Sequence, residues 1–426
     1  MNRIILIGNG FDLAHDLKTS YANFIDWYWD EWGKRLLKSP KQCEEDEFFS
    51  FSLSKKTTIK KWNEVAEWYF HDFMISAHDF IEKIRRDSSL CSIDSKSELF
   101  SRICMLKETK WVDIENEYYR LLSSKEVDAK KLNNDLDIVR KKLIEYLAII
   151  QKGINERLVK DDLKKTIFGS FYNRDIALSS NERWKQWVLN VHFDYSLVKW
   201  EEMREDYCID EKDLEYVKLR DFWKWKDVFL VHEYEAKRRE LELDNDLAPK
   251  LYYLPDKIMV LNFNYLTTAD MYFSDKKNRF EVNHIHGILS DPDSVVFGYG
   301  DELDENYKRL SEKNDNEYLR NIKSIKYLEA TNYRKLLEFI ESDAYQIYIM
   351  GHSCGNSDRT LLNTLFEHKN CVSIKPFYFI KENGTDNYME LVQNISRNFT
   401  DMKLMRDRVV NKTFCEPYSD LRKTAS

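Results

Sequence analysis

Met1-Asn2-Arg3-Ile4-Ile5-Leu6-Ile7-Gly8-Asn9-Gly10-Phe11-Asp12 opens the chain with an apolar run that stops at a glycine pair. A short β-branched run bounded by glycine reads as a parallel strand covered on both faces. Glycines after the first strand of an α/β unit let the backbone approach a phosphate, and a helix N-terminus favours negative charge there. A candidate site therefore begins at Gly8. Leu13 stands where the third glycine of G-x-G-x-x-G would fall, so a tight strand-to-helix turn without a ligand is the alternative.

The same pattern returns far downstream. Ile258-Met259-Val260-Leu261 is an expected strand, residues 279–286 alternate like another, and Val295-Val296-Phe297 reads as a short third. A helix is expected over 333–342, a strand over 346–350, a helix over 359–368, a strand over 374–380 and a helix over 387–399. Strands alternating with helices imply a doubly wound α/β domain, built from residues 1–33 and 251–410.

Residues 34–250 read as a large α-helical insertion. Between Trp62 and Asp246 there are two glycines and no proline. Leu132, Leu136, Val139, Leu143, Leu147, Ile150, Ile154 and Leu158 form one stripe at 3-4 spacing, and Trp111, Ile114, Tyr118 and Leu121 a shorter one. A core-facing helix or a coiled-coil seam would give this stripe. All eleven tryptophans lie at or before Trp225 and read as core, with ligand stacking as the alternative. Residues 411–426 read as a polar, mobile tail.

At 426 residues with 33% charged and 43% hydrophobic residues, the chain suits a globular protein with a large core. A net charge of −8 disfavours non-specific nucleic-acid binding. No long apolar stretch predicts a membrane span, and the opening strand lacks the features of a secretory signal. Seven widely spaced cysteines without C-x-x-C argue against a disulfide framework or cysteine zinc site and for a cytoplasmic location.

Four motifs sit at or just past expected strand ends, where ligands bind in open α/β sheets. They are Gly8-Asn9-Gly10-Phe11-Asp12, Asn262-Phe263-Asn264-Tyr265, His284-Ile285-His286-Gly287, and Gly351-His352-Ser353-Cys354-Gly355-Asn356-Ser357-Asp358. Asn262 and Asn264 also suit turns bonded to their own backbone. His284 and His286, on one face of a strand, suit core histidines or a metal pair, but no third and fourth ligand stands out, so no metal is expected. Gly351-His352-Ser353-Cys354-Gly355 fits the nucleophile elbow G-x-S-x-G. That elbow needs its acid and then its histidine downstream. Only His368 follows, in the next expected helix, so Ser353 is read as a loop or ligand contact and not as a nucleophile.

Residues 5–21, Trp111-Val112-Asp113-Ile114-Glu115, the Asn-Phe-Asn-Tyr segment, His286-Gly287-Ile288 followed by Phe297-Gly298-Tyr299-Gly300-Asp301-Glu302, and the Gly-His-Ser segment resemble, in this order, the AbiH family of bacterial abortive-infection proteins. That family in turn resembles the sirtuin-like NAD-consuming superfamily. The resemblance implies a Rossmann or sirtuin-like sheet and an antiphage effector that binds, and cleaves, NAD or a related nucleotide. Gly8 and Gly10 match the superfamily's glycine loop, Asn264 its asparagine and His286 its histidine. Asn9, Phe11-Asp12 and Leu266 depart from the usual residues, and the zinc cysteines of the deacetylases are missing.

On this reading the catalytic pair is Asn264, which positions the ribose or the water, and His286, the general base. Ligand contacts are expected from Gly8, Asn9, Gly10, Asp12, Asn262, Gly287, Gly351, Ser353 and Asp358. Asp12 or Asp358 would orient a ribose hydroxyl, and Asp12 equally suits a helix N-cap. NAD is the expected substrate or ligand. A phage-derived trigger or partner protein and a homo-oligomer fit such an effector. The alternatives are a nucleotide sensor without catalysis and a nuclease or other hydrolase using Asp301, Glu302, Asp304 and Asp358.

Overall fold

The computed structural model describes residues 1–72, 74–105, 111–124, 128–194, 197–207, 209, 211–212, 214–215, 217–218, 253–273, 279–381 and 383–418. Its frame is a five-stranded parallel sheet in the order β6-β5-β1-β7-β8. The strands are β1 (Asn2–Ile7), β5 (Ile258–Asn262), β6 (Phe280–His284), β7 (Tyr345–Met350) and β8 (Cys371–Phe377). The opening run is thus the central strand, and every residue of it is buried. Edge strand β6 keeps only Asn283 fully buried, hence its alternating sequence. Pro376 lies in the other edge strand, β8, where a missing N–H is tolerated.

Period-two alternation splits β1 between two cores. Ile4 and Leu6, with Met259, Leu261, Ile347 and Ile349, pack on Leu336 and Ile340 of the Asn332–Ser342 helix and Leu361, Leu362 and Leu365 of the Arg359–Glu367 helix. Ile5 and Ile7, with Val260, Tyr348 and Met350, pack on Leu163, Ile167, Val191 and Trp200. The α/β reading with a parallel sheet holds. Helical residues from within the stretch 34–250 cover the sheet's second face.

The rest of that stretch is not helical throughout. A three-stranded antiparallel sheet, β2 (Cys43–Glu45), β3 (Phe49–Leu53) and β4 (Cys91–Ser95), lies inside it. Phe49, Phe51 and Leu53 alternate with serines, a strand pattern that the scarcity of glycine and proline obscured. The long stripe forms the Ala129–Gln151 helix, capped by Asp128, and ends before Gly153. Leu132, Leu136, Val139, Leu143 and Leu147 face a core shared with Trp29, Trp32, Trp62 and Tyr118, so the stripe is core-facing. Trp223 and Trp225 lie outside the described residues.

Two further expectations change. Val295-Val296-Phe297 is not a strand. Val296 N–H donates to the His286 carbonyl at 2.9 Å, folding this segment over the end of β6. The C-terminal segment is packed at least to Tyr418, whose ring joins the second-face core, and Cys415 is buried as well. The six described cysteines are unpaired. No described helix is long and apolar enough to cross a membrane.

Candidate functional site

Register places the strand-end motifs side by side. Ile7 pairs with Asn262 on one side and with Met350 on the other, and Asn262 pairs with His284. Gly8, Phe263, Ile285 and Gly351 therefore leave the sheet together. Strand order reverses beside β1, where open α/β sheets form a crevice beyond their carboxyl ends. A cleft of about 430 Å³ opens there, lined by Gly8, Asn9, Gly10, Asp12, Asn264, His286, Gly351, Ser353 and Asp358 among others. Asn262 and Gly287 do not line it. Asn262 is a turn former: its carboxamide accepts the Asn264 N–H at 2.9 Å and donates to the Leu266 carbonyl at 3.1 Å. Gly287 has φ +84°, and a Cβ there would meet the Ser294 carbonyl oxygen at 2.1 Å.

The glycine loop is explained by protein packing. A Cβ on Gly8 would lie 2.7 Å from His352 Cα, and one on Gly10 would lie 2.8 Å from Gly351 Cα. Gly351, at φ +75°, would press a Cβ to 2.2 Å from the Phe11 nitrogen. Gly10 N–H donates to the Gly351 carbonyl at 2.9 Å, so this amide is already engaged by protein and not free for a phosphate. The following helix, Asn9–Leu13, is only five residues long and is capped by Gly8. Asp12 sits within that helix and is not its N-cap.

His284 and His286 part company. His284 Nε2 lies 3.1 Å from Asp270, away from the cleft lining. His286 is buried, and its Nε2 lies 3.2 Å from Asp358 and 3.1 Å from the Tyr327 hydroxyl. A carboxylate at Nε2 fixes the proton there and leaves the lone pair on Nδ1. Nδ1 makes no hydrogen bond among the described residues. Asn264 donates to the Gly8 carbonyl at 2.9 Å, which ties the second motif to the first.

Asp358 is the hub of a buried charge network. Lys323 Nζ lies 2.8 Å from Asp358 and 2.8 Å from Glu115, and its side chain is 1% exposed. His352 Nε2 is 3.7 Å from the other Asp358 oxygen. Burial pushes the Asp358 carboxyl up, but Lys323 and then His286 outweigh it and hold Asp358 well below the usual carboxylate range. Burial, reinforced by Asp358, raises Glu115 despite Lys323. Burial also lowers the His286 imidazole, and Lys323 adds to this against the pull of Asp358. His286 is thereby held neutral, the form a base requires. Lys323 is raised, because its two carboxylates overcome the cost of burial.

Glu115 comes from the Trp111–Leu122 helix, so the helical region supplies part of the site. In the sequence Glu115 stands out only within a family signature, and nothing there assigns a role to Lys323, His352 or Tyr327. Ile322-Lys323-Ser324 carries no local signal, since nothing in it marks a lysine that is to be buried.

Asp12 forms a second polar spot. It is 2% exposed, and its Oδ1 has no hydrogen-bond partner among the described residues. Burial raises its carboxyl to about 7, although Thr268 and Asn264 beside it pull the other way. Ser353 lines the cleft without a base. The nearby His352 accepts the Cys354 N–H on Nδ1 and turns Nε2 to Asp358. Asp301, Glu302 and Asp304 do not line the cleft, and they engage Arg359, Ser324 and Tyr119.

A family model described as bacteriophage abortive infection AbiH matches residues 4–380. No curated protein and no solved structure matches the chain.

Proposed function

This chain belongs to the AbiH family, and we propose that it acts in bacteriophage abortive infection by binding and hydrolysing NAD or a related nucleotide in the cleft beyond β1. The observation that carries the reading is His286, held neutral by burial and oriented by Asp358, at the cleft where the sheet order reverses. A histidine whose far nitrogen is fixed by a carboxylate is suited to take a proton from water. The reversal beside β1 supports a Rossmann or sirtuin-like sheet, whose ligands lie in that crevice. The same chemistry fits a cytoplasmic effector.

The electrostatics refine the reading. Among the described residues, Asp12, Asp16, Glu115, Asp358 and Glu390 line the cleft with one lysine, Lys323, which is already paired with two carboxylates. Such a lining suits the cationic nicotinamide-ribosyl end of NAD and the oxocarbenium-like state formed as that bond breaks. Nicotinamide leaves readily, so a base for water matters more than an acid. In this scheme Asn264 orients the ribose or the water, and His286 Nδ1 accepts the water proton. Ser353 and the backbone from Gly8 to Gly10 border the ligand. A sensor without catalysis is the second reading, favoured by the prior pairing of Lys323.

The test is incubation of the purified protein with NAD, alone and with phage lysate, with nicotinamide and ADP-ribose separated by chromatography. Nicotinamide release that is lost in His286→Ala supports hydrolysis. Tight NAD binding without turnover supports the sensor, and neither binding nor turnover refutes both.

A further inference from the structure

The cleft lining carries further polar groups besides the charge network. Asp12 and Tyr418 both line the cleft, at 2% and 9% exposure. Asp12 Oδ1 and the Tyr418 hydroxyl are each buried without a hydrogen-bond partner among the described residues. Thr268 and Asn264 adjoin the Asp12 carboxyl and favour its ionised form. Buried polar atoms are ordinarily satisfied, so two orphans on residues lining one cleft mark a place built for something polar. Tyr418 lies beyond the family match at 4–380.

We propose that Asp12 and Tyr418 form a subsite for the hydroxyls of a sugar diol, and that Asp12 releases a proton when the ligand seats. This rests on the nucleotide reading above and deepens it. A carboxylate accepts hydrogen bonds from both hydroxyls of a diol, whereas a protonated carboxyl spends one oxygen as a donor. Tyr418 OH accepts from, or donates to, the same sugar. Charge-assisted bonds form only to the ionised acid, so binding favours the carboxylate and sends the proton to solvent.

Asp12 is poised for this, because burial has already lifted its carboxyl to about 7. Among the described residues, the groups shown to act on it, Thr268, Asn264 and Tyr418, carry no charge that would pre-empt the exchange. Thr268 and Asn264 come from the loop after β5. Tyr418 comes from the C-terminal segment, and burial holds its hydroxyl protonated. On the Asp12 segment itself, His15 is engaged by the Phe11 carbonyl and the Tyr272 hydroxyl, each at 2.7 Å.

The experiment is calorimetric titration of the full chain with ADP-ribose, which carries the diols but no scissile nicotinamide. It is run at pH 6 in two buffers of different ionisation enthalpy. The expected result is release of roughly one proton per ligand, affinity that rises from pH 6 to pH 8, and loss of both effects in Asp12→Asn. Removing one charge-assisted bond weakens binding by about 10- to 100-fold, and Tyr418→Phe by about 5- to 10-fold. Melting curves confirm that both variants are folded. ADP-ribose binding with buffer-independent heats and unchanged affinity in both variants overturns the subsite and leaves the nucleotide reading standing. No ADP-ribose binding by the wild-type protein removes both.

Discussion

Replacing Lys323 with methionine keeps the length of the side chain and deletes its charge. The ammonium stands 2.8 Å from Glu115 and 2.8 Å from Asp358 with 1% exposure. At an effective dielectric of about 20, each contact is worth roughly 6 kcal/mol before desolvation. Burying three ions consumes most of that, so the intact triad adds little net stability. Breaking it is different, because two carboxylates remain buried beside each other. The expected loss is about 3–5 kcal/mol, a melting point lower by several degrees for a chain of this length. The sign with pH follows from the carboxylates. In the wild type, Asp358 is depressed well below its unfolded value. It therefore contributes stability that is present above the unfolded pKa and lost only as pH falls through the folded one. In Lys323→Met both acids rise, so the penalty is largest near pH 8 and shrinks toward pH 5 as they take up protons. Differential scanning calorimetry at the two pH values tests this. The triple variant Glu115→Gln, Lys323→Met, Asp358→Asn should recover much of the stability while remaining inactive. A loss below about 1 kcal/mol, the surface-pair range, or a penalty equal at both pH values, would refute a buried triad.

Gly351→Ala forces a Cβ to 2.2 Å from the Phe11 nitrogen at φ +75° and should cost at least about 2–3 kcal/mol by calorimetry. His286→Ala and Asn264→Ala should each abolish phage protection with a loss of roughly 1–3 kcal/mol; if the residual folded fraction still protects cells, the two residues are structural. Ser353→Ala should keep full protection, and wild-type Ser353 should resist a fluorophosphonate probe; labelling lost on substitution reverses this. Asp12 is raised from 3.8 to about 7 by burial, so it withdraws stability as pH climbs between those values. Asp12→Asn should therefore gain about 3 kcal/mol more at pH 8 than at pH 5, and an equal change at both pH values would show that Asp12 is not perturbed.

What the sequence made legible was what short-range pattern encodes. The run Ile4–Ile7 gave a buried central strand, and polar motifs after apolar runs gave strand ends that share a cleft. Distinguishing His286 from His284 needed the strand boundary at His284, which alternation through residue 286 concealed. The glycines were found for one reason and are required for another, because the approach of Gly10 to Gly351 spans loops far apart in the chain. Phe49–Leu53 shows period two, but a breaker-poor setting made helix the easier reading. Glu115 and Lys323 were hardest, since burial of a charge is decided by a partner 208 residues away. No window of sequence contains both ends of that decision.

The span of that ion pair also bears on how the protein is made. Lys323 leaves the ribosome 208 residues after Glu115, roughly 10–40 s later at ordinary elongation rates. Asp358 follows by another 35 residues, and until it emerges His286 has neither its orienting carboxylate nor a closed pocket. A chain released before Asp358 consequently lacks the hub of the buried network, whatever its opening strand has already folded against. On the proposed hydrolysis, the order of synthesis acts as a delay: the pair of groups that would activate water comes together only once Asp358 has been made.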